Sequence, residues 1–172
     1  MTWPDTELDP VRRLHVLAAA MPGVSVEQTT LDAPFDFVWG LVSDLEAELP
    51  RIVRDVRSLT ITRRTPEMPN GDRTLAGERL EAYARGYGGL RARFDIVLRP
   101  GWCVMRSRFL VGGMAAAPDG ERTVFAFLGG MRVPGQVLAA PLLSAIGGRL
   151  TPGVLRHIAD RVQETRRASR SQ

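Results

Sequence analysis

The sequence predicts an α+β domain: one antiparallel sheet with helices at both ends of the chain. Two observations predict it. Between Val56 and Val133, β-patterned segments follow one another through tight-turn signals, with no room for the crossover helices of a parallel sheet. Helical periodicity is confined to the region before Val56 and to the region from Pro134 onward. The 172 residues suffice for one domain with a full core, and a composition of 44% hydrophobic and 24% charged residues is that of a globular chain.

The elements follow in order. Asp9 caps a first helix with Pro10 in its first position; Leu14, Leu17, Ala18 and Met21 share a face, and Pro22-Gly23 ends it. This helix is expected on the outside of the sheet or over one end. Val24 to Leu31 is the first strand. Asp32 or Ala33 caps a helix that runs to about Val42, with Phe35, Val38, Trp39 and Val42 at helical spacing, and Ser43-Asp44 starts another through about Ile52. Val56 to Arg64 alternates Leu59 and Ile61 with Ser58, Thr60 and Thr62, and a loop with an Asn70-Gly71 turn follows. Leu75 to Gly86 and Leu90 to Arg99 flank a Gly88-Gly89 turn. In the second of these, Ala92, Phe94, Ile96 and Leu98 oppose Arg91, Arg93, Asp95 and Arg99.

Trp102 to Ala117 is long for a single strand of ~5–6 residues. It is either one strand bent at Gly112-Gly113 or two, so the sheet has six or seven strands. Pro118-Asp119-Gly120 turns the chain into a last strand, Glu121 to Val133. The C-terminal region is helical with breaks at Pro141 and Gly147-Gly148 and a restart at Thr151-Pro152. Val154, Leu155, Ile158 and Val162 form its buried stripe, and Arg166 to Gln172 form a polar tail. The expected division is an extension over 1–23, a domain over 24–167 and a disordered tail over 168–172.

Lys and Arg together number 23, all of them arginine, a usage that fits GC-rich coding; the net charge is only +4. Arginines are spread over nearly every element rather than gathered on one face, which argues against nucleic acid. The densest group, Arg161, Arg166, Arg167 and Arg170, reads as a solvated helix end favoured by the helix dipole. The single cysteine, Cys103, permits no internal disulfide and no cysteine metal site; it reads as a small buried residue and suits a reducing cytoplasm. His15 and His157 lie far apart, so no metal is expected, and no cofactor motif is present. The longest apolar run, Val137 to Ile146, is far short of the ~20 residues of a membrane span, and acids precede Arg12 and Arg13 where a signal peptide needs cations.

Leu31-Asp32-Ala33-Pro34, followed by Phe37-Val38-Trp39 and Val42-Ser43-Asp44, resembles the opening of the START-like family, also called Bet v 1-like, polyketide cyclase/dehydrase, SRPBCC or helix-grip. Thr123 to Phe127 resembles that family's last strand, and the likeness spans Val24 to Thr165. The resemblance implies a helix-grip fold, in which a curved antiparallel sheet around a long C-terminal helix encloses a cavity. Two features depart from it: the N-terminal helix is extra, and the C-terminal helix is split near Gly147 to Thr151. The family includes lipid carriers, plant hormone receptors and aromatase/cyclases, so the fold selects no single function.

No G-x-S-x-G, H-E-x-x-H, P-loop or dinucleotide motif occurs, and Gly86, Gly88 and Gly89 read as a turn. Strand alternation assigns Cys103, Met105, Ser107, Phe109 and Val111 to the cavity, with Thr123, Phe125, Phe127 and Met131 from the last strand. The expected ligand-lining set is Phe94, Met105, Ser107, Phe109, Thr123, Phe125, Phe127 and Ile158: apolar walls with sparse polar points. His157, Glu27 and Ser107 are the candidates for proton transfer. Glu27 reads as outward and solvated, and it becomes such a candidate only if its phase with Thr29 and Leu31 turns inward. Tyr83, Tyr87, Arg106 and Arg108 are expected to face outward. The expected function is binding of a hydrophobic, lipid- or polyketide-like small molecule. The alternative is an aromatase/cyclase acting on a poly-keto chain, delivered by an acidic acyl carrier protein to a mildly basic surface.

Overall fold

The structure, a computed structural model, describes residues 8–68, 76–87, 89–131 and 140–170, with the backbone alone at 140–152 and 170. The expected Asn70-Gly71 turn and residues 132–139 lie outside it. Seven strands form one antiparallel sheet: β1 (Val24–Leu31), β2 (Val56–Glu67), β3 (Gly77–Gly86), β4 (Arg91–Arg99), β5 (Trp102–Arg106), β6 (Leu110–Asp119) and β7 (Arg122–Met131). Their order is β1-β7-β6-β5-β4-β3-β2, so β1 and β2, neighbours in the chain, stand at opposite edges. The crossover between them holds α2 (Phe35–Val42) and α3 (Leu45–Ile52); α1 (Pro10–Ala19) precedes the sheet and α4 (Ala140–Arg170) follows it.

The inner face carries the main core. Leu80, Ile96, Phe125 and Cys103 from the sheet pack with Val38 and Val42 of α2, Leu45 and Ile52 of α3, and Ile158 and Val162 of α4. Phe125 and Leu80 are wholly excluded from solvent. The outer face has a second core over β1, β7 and β6, where Val11, Leu14 and Ala18 of α1 meet Val111, Ala115, Ala126 and Leu128. The extra helix is therefore a wall of the domain. Gly113 lets it approach: a Cβ there would lie 3.2 Å from the Leu14 side chain and 3.2 Å from the Cys103 carbonyl.

Several expectations are corrected. The cap of α2 is Pro34, with no side-chain hydrogen bond, rather than Asp32 or Ala33. The turn is held from outside instead: Thr123 Oγ1 donates to the Ala33 carbonyl (2.7 Å), and Arg166 of α4 donates to the Asp32 carbonyl. The segment from Trp102 divides at Ser107–Phe109, not at Gly112-Gly113, which lie inside β6 in unbroken register with both neighbours. Ser107 makes that turn by accepting the amides of Leu110 (2.9 Å) and Phe109 (3.3 Å) on its hydroxyl. The C-terminal helix is continuous across Gly147-Gly148 and Thr151-Pro152 and runs on to Arg170, through residues expected as a polar tail. Packing of its Val154, Leu155, Ile158 and Val162 stripe outweighs the local cost of glycine and proline.

Candidate functional site

The site is built on the inner face, where the register fixes which side chains meet. One row reads Glu27, Phe127, Met114, Cys103, Leu98; the next reads Ser25, Gly129, Gly112, Met105, Ile96. In the first row the apolar surface is continuous apart from Glu27. In the second, two successive positions lack side chains. Met105 leans over Gly112, where an added Cβ would lie 3.0 Å from its Cγ. Over Gly129 a Cβ would meet only the edge of the Phe127 ring, at 3.5 Å among the described residues. Among the described residues this leaves the inner wall bare between Phe127, Ser25 and Met105, on the β1–β7 strands along which α4 packs. Ser25 donates its hydroxyl to the Gly129 carbonyl at 3.4 Å.

The proposed lining residues fall into three groups. Phe94, Met105, Phe125 and Ile158 are buried in the inner core, and Phe127 is half-buried beside the gap. Thr123 is fully buried, but its hydroxyl is spent on Ala33. Ser107 and Phe109 do not line the inner face: Ser107 turns the chain and Phe109 is 46% exposed. The three-residue turn also reverses the phase, so Val111 packs outward against α1. Met131 is likewise exposed.

Glu27 is the reverse correction. It stands opposite Phe127, with Thr29 opposite Phe125 and Leu31 opposite Thr123, so its phase faces inward. His157 is half-buried on α4, and its Nδ1 is buried with no hydrogen-bond partner among the described residues. The structure does not bring these two together. Four residues on from His157, and hence on the same flank of the helix, Arg161 reaches Glu48 of α3. Arg166, which reaches the end of β1, is about 900° further round the helix at ~100° per residue, on the opposite flank. His157 therefore faces the α3 seam and Glu27 the β1 side.

Sequence reasoning missed the strongest electrostatic feature. Glu48 of α3 is 4% exposed and accepts from both Arg161 Nη2 (2.8 Å) and Nε (3.0 Å), and from Arg51 (3.1 Å). The Arg161 hydrogen bond, reinforced by the charges of Arg161 and Arg51, holds its carboxyl below the usual range despite burial. It ties α3 to the C-terminal half of α4. Burial pushes the Cys103 thiol up to about 12, so it is a packing group and not a nucleophile. Among the described residues no cluster of three His, Cys, Asp or Glu is placed to hold a metal, and no helix is long and apolar enough to cross a membrane.

No family model matches the sequence, and no curated protein does. Solved structures do match. A START superfamily protein from Mycobacterium smegmatis is similar with a TM-score of 0.56 at 17% identity, over 83% of this chain and 98% of that one. The Zhui aromatase/cyclase from Streptomyces sp. R1128 gives 0.56 at 18% identity, over 85% and 96%. The di-domain ARO/CYC StfQ from the steffimycin biosynthetic pathway gives 0.58 at 13% identity, over 88% of this chain and 54% of that one. With its antiparallel sheet, its crossover helices and its long closing helix, this chain has the START-like helix-grip fold.

Proposed function

We propose that the protein binds a hydrophobic small molecule, lipid- or polyketide-like, between the inner sheet face and α4, as a carrier, sensor or sequestering protein. One observation carries the reading: among the described residues the wall is bare over Gly129, beside Phe127 in an otherwise apolar surface, with Glu27, the strand partner of Phe127, as its charged point. Apolar walls with few orienting polar groups are what such ligands need. Calorimetric titration with fatty acids, sterols and aromatic polyketides tests it. One class binds at one molecule per chain, and Gly129→Leu, which fills the gap, weakens binding at least ~10-fold while leaving thermal stability intact. Equal affinity in the variant, or no binding by any class, would overturn the reading.

The second reading, an aromatase/cyclase acting on a poly-keto chain held by an acidic carrier protein, is favoured by His157. A buried ring nitrogen without a partner among the described residues is unusual, and a keto or enol oxygen of a chain long enough to extend from the β1 side to the α3 seam would satisfy it. Folding the chain into a reactive conformation would supply most of the rate, with His157 moving one proton. Incubating carrier-bound poly-keto substrate with wild type and His157→Ala, then comparing cyclised products, tests this; identical product profiles exclude the role.

A further inference from the structure

We propose that the β3–β4 and β5–β6 ends of the sheet form a docking edge for an anionic lipid bilayer surface. The ladder places both connections at the same end: Arg85 is opposite Arg91 on β3–β4, and Arg106 is opposite Val111 on β5–β6. At the tips stand large apolar side chains left in water, among them Leu90 and Tyr87, the two most exposed such side chains of the described residues. Leu90 is 78% exposed, Tyr87 73% and Phe109 46%. Stranded Leu and aromatic side chains on turn tips fit the boundary between headgroups and acyl chains, where Tyr in particular keeps one end wet.

Behind these tips lies a collar of cations. Arg85 and Arg91 face each other across β3 and β4, a like-charge pairing that a sheet disfavours unless an anion sits between them. Asp95 stands opposite Arg106 in the ladder, and Asp55 adjoins Gly86 at the start of β2, but among the described residues no acid lies within ion-pair distance of Arg85, Arg91, Arg106 or Arg108; neighbouring Arg93 and Arg63 are both occupied by Glu81. Tyr83, Arg85, Arg91 and Arg93 wall a surface depression of about 220 Å³ floored by Ala84 and Ala92. That is room for a phosphate headgroup. Arg108 lies over the Phe109 ring at 5.1 Å, a cation and an apolar group presented together. Neither tip contains an acidic residue: the sequences are Arg-Gly-Tyr-Gly-Gly-Leu-Arg and Arg-Ser-Arg-Phe-Leu. An apolar tip within an arginine collar is complementary to a negatively charged bilayer and not to a neutral one. The β5–β6 tip lies at the same end of the sheet as the inner-face gap, since Gly112, opposite both Gly129 and Met105, is three residues past Phe109; vesicle binding is read without the ligand, so it is tested separately from the ligand reading.

Co-sedimentation of the full chain with vesicles of phosphatidylcholine alone, or mixed with phosphatidylglycerol, tests it. The protein binds the mixed vesicles at low salt and is released at high salt. Arg85→Glu with Arg91→Glu raises the lipid concentration for half-binding at least ~10-fold, and Leu90→Ser raises it several-fold. Arg85→Glu alone raises it several-fold, whereas Arg122→Glu, the same single charge reversal at the opposite end of the sheet, leaves it within about twofold. Circular dichroism confirms that the variants are folded. Failure to bind phosphatidylglycerol vesicles at low salt would overturn the proposal, as would an equal loss in Arg122→Glu, which would reduce it to bulk charge. A concentration-dependent dimer that Leu90→Ser abolishes would assign the edge to a second copy and overturn it as well.

Discussion

Over β1, β7 and β6 the outward positions are Val24, Val26, Val124, Ala126, Leu128 and Ala115, and α1 lies on them. Over β3 and β4 they include Arg79, Tyr83, Arg85, Arg91, Arg93 and Asp95, all exposed, with Glu81 and Val97 half-buried among them. One sheet with one alternation thus presents two unlike outer surfaces, and the difference lies in what covers each. The apolar half is a core in its own right, with Leu14 fully buried above Gly113. The charged half is held by exposed ion pairs such as Arg63–Glu81–Arg93. Arg13 of α1 marks the border, with its guanidinium over the Trp102 ring at 5.8 Å. The same residue types have different worth by location: the Glu48–Arg161 pair is enclosed between helices, while the Glu81 pairs are in water.

The largest expected effect sharpens that last contrast. Glu48→Ala leaves Arg161 without its main partner and lowers stability by about 3–5 kcal/mol, read by denaturant unfolding. Because the Glu48 carboxyl is held below its ordinary value of 4.5, its contribution is present above that pH and is lost as pH falls through the depressed folded value. Wild type therefore loses this stability in acid, and a Glu48→Gln variant shows a flatter acid limb. Next, Leu14→Ala opens a cavity under α1 and costs ~2–5 kcal/mol, which a detachable appendage would not show. Gly113→Val drives a side chain into Leu14 and the Cys103 carbonyl and costs ~1–3 kcal/mol, visible as a lower Tm. Smallest, Glu81→Ala on the bare half changes stability by less than about 1 kcal/mol, because exposed pairs contribute little. A loss there as large as that of Leu14→Ala would erase the comparison.

Much of this was legible from local patterns. Strict alternation from Ala92 to Leu98 placed Phe94 and Ile96 on one face, and the inner core contains both. Asp9-Pro10 and Asp44 announced helix starts, and both aspartates accept a backbone amide. Reading failed where a local signal was weak or distant. Arg106-Ser-Arg-Phe contains neither Gly nor Pro, so its turn depends on one hydroxyl, and missing it inverted the phase of Phe109 and Val111. Glu27 has a charge that suggested solvent, but its orientation follows from pairing with Phe127 on a strand about a hundred residues away. Glu48 and Arg161 meet only because the crossover and the last helix pack together. The bare strip at Gly112 and Gly129 needs three strands in register before it exists at all.

The central claim is that the inner face holds a ligand, and native mass spectrometry of freshly purified protein tests it most directly. The account predicts one apolar small molecule per chain, released on denaturation and absent from Gly129→Leu. A bare-chain mass in both proteins, which no lipid, sterol or aromatic polyketide shifts, would contradict it and leave the inner face as a closed core.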